Sequence, residues 1–182
     1  KEFGYETALF GKWHLGYPAE FNPIHQGFDE FEGFVSGNVD YHRHIDQEGH
    51  FDWWKRDKKE DEPGYITDLI TEGGLSFIDR KKEKPFFLYL PHYAVHTPLG
   101  GKPDVIAKYQ AKAVKLPDLK QKNATYAALV ESVDDSLGTI RAALKRLKLD
   151  ENTIIVFSGD NGATHDAGGV DTKYFDSAGG LK

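Results

Sequence analysis

Cysteine is absent from all 182 residues, and so is methionine. Without cysteine there is no disulfide framework and no thiol nucleophile, and the redox character of the compartment leaves no trace in the chain. No apolar run approaches the ~20 residues that a membrane-spanning helix needs. An excess of positive charge is missing too. The 23 lysines and arginines stand against 29 aspartates and glutamates, a net charge of −6, which argues against a nucleic-acid-binding surface. No secretory leader opens the chain and no segment repeats. Lys1 is not an initiator methionine and the far end stops within a Gly-rich turn, so the stretch reads as the interior of a longer polypeptide. What is present, 39% hydrophobic and 29% charged residues, suits one globular domain with a real core.

The chain is organised around Asn152–Gly162, NTIIVFSGDNG. Thr153 to Phe157 form an uninterrupted apolar or β-branched run, which predicts a strand buried on both faces, as in a parallel or mixed sheet covered by helices. Ligand sites in such sheets lie beyond the carboxyl ends of the strands. That end carries Asp160 and Asn161, adjacent oxygen donors between Gly159 and Gly162. A carboxylate beside an amide carbonyl is hard-donor chemistry, fitting Ca²⁺ or Mg²⁺ rather than zinc. Taken alone, the tripeptide is better read as a simple turn leaving a strand.

Two other stretches end in the same manner. Gly4–Gly16, GYETALFGKWHLG, predicts a strand over Tyr5–Phe10 that turns at Gly11 and presents Lys12 and His14. Pro85–Leu90, PFFLYL, predicts a second buried strand, followed by His92 and His96 in the loop HYAVHTP. Between them, Tyr17–Glu62 has little periodicity and many aromatics, the mark of a functional loop region. Most of its rings are expected to bury that loop, with Trp53 and Trp54 the exceptions available to a ligand. His42, His44 and His50 match no metal spacing and are expected in solvent. Lys55–Glu62, with four basic and four acidic side chains, is expected to be a solvated tip. Helices are predicted over Ile66–Arg80, despite Gly73-Gly74, and over Ala124–Leu147, where Asn123 serves as N-cap and Asp134 and Asp135 face solvent. Strand, loop, helix, strand, loop, helix, strand is an α/β order, with helices sandwiching a mainly parallel mixed sheet.

GKWHLG, PFFLYLPHYAVHTP and TIIVFSGDNGA, in this order, resemble the signatures of the formylglycine-dependent type I sulfatases, most closely the arylsulfatase B group of the alkaline phosphatase superfamily. The resemblance runs across nearly all of residues 1–182, which would be part of a single catalytic domain. It implies a sulfuric ester hydrolase acting on sulfated sugars or aryl sulfates. Lys12 would contact the sulfate and the formylglycine, and His14 would hydrogen-bond the formylglycine hydroxyl. His96 would touch the sulfate or protonate the departing alcohol. Asp160 and Asn161 would bind calcium, with magnesium second. The resemblance also implies a periplasmic, secreted or lysosomal home.

Several family parts are not in this stretch. The nucleophile motif, Cys or Ser followed by x-Pro-x-Arg, would precede Lys1, as would the strand whose paired aspartates complete the calcium site. A second lysine would follow Leu181-Lys182, and a C-terminal subdomain would come later. The 182 residues alone are therefore expected to be inactive. Two alternatives stay open: a phosphodiesterase or phosphonate hydrolase of the same superfamily, and a non-catalytic anion- or glycan-binding relic.

Overall fold

The sheet grows outward from one strand. β1 (Glu6–Lys12) has parallel neighbours on both sides, β2 (Glu30–Phe34) and a strand from the PFFLYL run, here Phe86–Tyr89. The computed structural model describes residues 3–115 and 123–161. Beyond β2 the chain forms a small antiparallel hairpin, β3 (Trp54–Lys55) and β4 (Lys58–Lys59). Phe86–Tyr89, in chain order β5, closes the sheet at its other edge, giving the order β4-β3-β2-β1-β5. Three helices follow the same order of appearance: α1 (Ile66–Lys81), α2 (Pro103–Lys115) and α3 (Ala124–Arg146). The class is α/β with a mixed, mainly parallel sheet, as the sequence implies.

Alternation along β1 separates two cores. Ala8 and Phe10 face α1 and join Phe34, Ile66, Ile70, Phe77 and Leu129 in the main cluster. Leu9 faces the other way, with Phe31 and Val35, and meets Trp13, Ile24 and Phe28 from the connecting segment. That second face is therefore covered, among the described residues, by short turns such as Pro23–His25 rather than by a helix. α1 lies on β1 and β2, α3 lies against α1, and α2 lies against α3. Each large side chain buried in this way contributes about 1.5–3 kcal/mol.

Both helix predictions hold to within a residue. Asn123 caps α3 by accepting from the Tyr126 N–H at 2.9 Å, and Asp134 and Asp135 are exposed. Gly73, a weak point by propensity, is needed for close packing, because a Cβ there would stand 2.6 Å from the Phe10 ring. Helix α2 was not expected. It packs on α3 without burying a single residue fully.

Five expectations are corrected. Thr153–Phe157 forms no strand: Ile154, Val156 and Phe157 are 92%, 85% and 69% exposed. A strand needs ladder partners for its backbone groups, and none of the described strands lies beside this run. β5 is likewise a sheet edge, and Phe87 and Tyr89 remain about half exposed. Residues 17–62 are not structureless; they supply β2, the hairpin and buried Phe31, Phe34, Tyr41 and Trp53. Trp53, fully buried, is no ligand platform, and the charged Lys55–Glu62 tip is the β3–β4 hairpin. His44, expected in solvent, is also buried, 4.8 Å from the Trp53 ring with Nε2 on the Gly64 carbonyl at 3.1 Å. His42 and His50 are exposed as expected.

Candidate active site

Lys12 is the last residue of β1, and its position is set from both neighbours. Gly11 pairs with Gly33 of β2, and a Cβ on either would collide with backbone, on the Pro91 carbonyl for Gly11 and on Gly11 itself for Gly33. Only glycine admits such close approach. The Lys12 N–H then donates to the Pro91 carbonyl at 3.0 Å, and Trp13 N–H donates to the Phe34 carbonyl at 2.9 Å. The carboxyl ends of β2, β1 and β5 are thus stitched together, and Lys12, His14 and His96 emerge from the seam.

The electrostatics register that proximity. Burial pushes the Lys12 ammonium below the ordinary lysine range, and the negative charge of Asp160 draws it part of the way back. His14 is held below the ordinary histidine range, first by burial and then by the positive charges of Lys12 and His96. Lys12 therefore feels Asp160, and His14 feels both Lys12 and His96. Asn161 follows Asp160 directly. Gly162 and Leu181-Lys182 lie outside the described residues.

His14 takes a left-handed backbone conformation (φ 55°), uncommon for a residue with a side chain. Its ring lies against Gly37, where a Cβ would stand 2.6 Å from Nε2. His96 is exposed but tethered at three points. Its N–H donates to the Tyr93 carbonyl at 2.8 Å, its carbonyl accepts from the Tyr41 hydroxyl at 2.9 Å, and Nδ1 lies 2.6 Å from the Thr97 carbonyl. A carbonyl only accepts, so Nδ1 carries the hydrogen. In the neutral ring that leaves the Nε2 lone pair to take up a proton, which the resulting imidazolium can then deliver.

Tyr41, Tyr93 and Gly37 went unnoticed in the sequence. Tyr93 sits between the two histidines of HYAVH, a position that could have marked it; Gly37 carries no signal at all. His92, although in the same loop, points elsewhere. Its Nε2 lies 3.1 Å from the Ser136 hydroxyl of α3, which lies 2.7 Å from the Thr71 hydroxyl of α1. Thr71 is 2.6 Å from the Thr67 carbonyl and must give that carbonyl its one hydrogen. The chain of donors therefore runs from His92 through Ser136 and Thr71 to Thr67. Nδ1 of His92 is buried and meets no partner among the described residues. A cavity of about 470 Å³ between α1 and β2–β3 is lined by Glu30, Glu32, Lys55 and Arg80 and includes none of the site residues.

The sulfatase family model matches residues 1–180. The chain belongs to the sulfatase family. This sulfatase stretch is 33% identical over 178 residues to arylsulfatase J of Mus musculus, covering 93% of the chain and 29% of that relative. It is 32% identical over 177 residues to N-acetylgalactosamine-6-sulfatase of Mus musculus, covering 90% of the chain and 32% of that relative. Among solved structures it is similar to Ps i-CgsB in complex with k-i-k-neocarrahexaose, with a TM-score of 0.78 and 34% identity over 93% of this chain and 40% of that one. The sulfatase stretch thus spans about a third of the length of the curated relatives it matches.

Proposed function

We propose that residues 1–182 form one wall of the active site of a sulfuric ester hydrolase, the complete enzyme cleaving sulfate esters of sugars or aryl alcohols. The observation that carries this reading is that Lys12, tied at the end of β1 to Pro91, lies beside the Tyr93 ring on which His96 stacks, with Asp160 acting on Lys12 and His14 subject to Lys12 and His96. Fixed cations around a sulfate stabilise the charge that grows on its oxygens as the ester bond breaks. Lys12 would bind one such oxygen, and its half-burial strengthens that attraction. His14, held neutral at physiological pH, would donate or accept one hydrogen bond at the nucleophile. His96, with Nδ1 anchored, would offer Nε2 to the leaving oxygen. The sugar-sulfate preference is supported by relatives named for N-acetylgalactosamine-6-sulfate and by the carrageenan-oligosaccharide complex of the structural neighbour.

Asp160 and Asn161 fit a calcium ion in donor chemistry, a carboxylate and an amide oxygen side by side; they are two of the six to eight oxygens calcium takes. A bound calcium would supply positive charge to stabilise the charge growing on the sulfate oxygens. We place the nucleophile, a formylglycine, outside these 182 residues, which hold neither a Cys nor a Ser followed by x-Pro-x-Arg, and the complete enzyme in the periplasm, a lysosome or the extracellular space.

The test is sulfate release by the full-length protein from a sulfated sugar and from an aryl sulfate, alongside a phosphodiester. Sulfate release that falls at least ~10²-fold in Lys12→Ala, with the phosphodiester untouched, is the expected result. Asp160→Asn should weaken calcium binding in a direct titration. Preferential phosphodiester cleavage would favour the superfamily alternative, and no turnover of any ester would favour the relic.

A further inference from the structure

We infer that Tyr93 is a positioning residue for this site, holding Lys12 and His96 at a fixed separation through the face of its ring; the inference rests on the sulfatase reading above. Tyr93 is 2% exposed, yet it touches both Lys12 and His96, which reach the site from different elements. The Lys12 Nζ lies 5.7 Å from its ring centroid. The His96 imidazole stacks on it with centroids 5.2 Å apart and planes at 27°.

The ring itself cannot drift. Phe34 of β2 meets it edge-on at 5.3 Å and Tyr41 lies at 4.7 Å. The Tyr93 hydroxyl donates to the Thr97 carbonyl at 2.6 Å, the same carbonyl that takes the His96 Nδ1 hydrogen. Burial pushes the phenol well above the ordinary tyrosine range, so it stays a neutral donor. An aromatic face is the negative pole of a quadrupole and attracts a cation within about 6 Å. Lysine has four rotatable carbons and a large rotamer entropy to lose when it is fixed on a sulfate. A ring already facing the ammonium lowers that cost before substrate arrives. Tyr93 touches no reacting atom; it acts through the two residues that do.

Ring shape and ring electrostatics can be separated. In the full-length enzyme, Tyr93→Phe removes the hydroxyl and keeps the negative face. Tyr93→pentafluorophenylalanine keeps the shape of phenylalanine and reverses the face. Tyr93→Phe should retain kcat/KM to within about threefold, and the fluorinated ring should lower it a further 5- to 30-fold, the range that cation–ring attraction supports at a partly desolvated site. In a Lys12→Met background the step from Phe to pentafluorophenylalanine should shrink, because the cation it acts upon is gone. A purely structural Tyr93 would treat both rings alike, so equal kcat/KM for the two variants overturns the inference. If the parent enzyme releases no sulfate from any ester, it is the sulfatase reading that fails; if Lys12→Ala and His96→Ala leave sulfate release intact, the site assignment fails, and these controls tell both failures apart from failure of the Tyr93 inference.

Discussion

At the scale of single residues, the site is a set of small tolerances. His96 offers Nε2 because Thr97 holds Nδ1, which suits it to protonate a leaving oxygen. An aryl sulfate releases a stabilised phenolate, while a sugar sulfate must release a much more basic alkoxide. His96→Ala in the complete enzyme should therefore harm the sugar sulfate more, by a margin of about 10²–10⁴ in kcat/KM; equal losses for both substrates would reduce His96 to a sulfate contact. Gly37 makes the complementary point by what it lacks. Its backbone is not left-handed, so alanine costs no conformational strain, but the added Cβ would stand 2.6 Å from the His14 ring. Gly37→Ala should leave the thermal midpoint within a few degrees and lower kcat/KM by up to ~10²-fold, the penalty of displacing a reacting group by about 1 Å; an unchanged rate constant would mean that the position of His14 is immaterial. Lys12, His14 and His96 were legible from motif and spacing. Gly37 was not, because a missing side chain has meaning only once the ring beside it is known.

At the scale of elements, the sequence spoke clearly where one element buries one stripe. α1 and α3 carry apolar residues at three- and four-residue steps, and both were read to within a residue. β2 was missed because EFEGF mixes charge and glycine, and its burial depends on contacts with β1 and the hairpin rather than on its own composition. TIIVF shows the opposite error: a run with every local mark of a strand stays unpaired among the described residues, since propensity supplies no partner. The loop after β5 is tied to both helices through His92, Ser136 and Thr71, and this gives stability a pH dependence. Burial pushes His92 from the ordinary 6.5 down to about 4. At pH above 6.5 the ring is neutral in both folded and unfolded chains and costs nothing. As pH falls from 6.5 towards 4, the unfolded chain takes up a proton that the folded one refuses, and stability drops by up to about 3 kcal/mol. Protonation would also turn the unpartnered Nδ1 into a buried donor. Denaturant midpoints of His92→Gln should fall less steeply across that window than those of the parent; parallel curves would remove His92 from the account.

At the scale of the whole molecule, charge and apolar surface are unevenly spread. Ile154, Val156 and Phe157 stand in solvent, as do Phe87 and Tyr89 on the β5 edge. An extended apolar run and an open edge are the two ingredients of strand-to-strand association. Prepared as these 182 residues, the chain should self-associate at micromolar concentration, and Ile154→Lys with Val156→Lys should shift light scattering towards the monomer. A parent that stays monomeric would show that the surface is better protected than its exposure suggests.

The knot of backbone at Gly11, Gly33 and Pro91 sorts the chain into parts that can change length and parts that cannot. Adding one residue to β1 before Gly11 would turn Lys12 to the opposite side of the sheet, and adding one to β5 would carry His96 away from it. The exposed turn Gln47–His50 enters no such ladder with β1 or β5, and lengthening a surface loop is cheap. Insertions there would change the surface of the molecule without moving Lys12, His14 or His96, so that turn can drift in length while the two strands keep count.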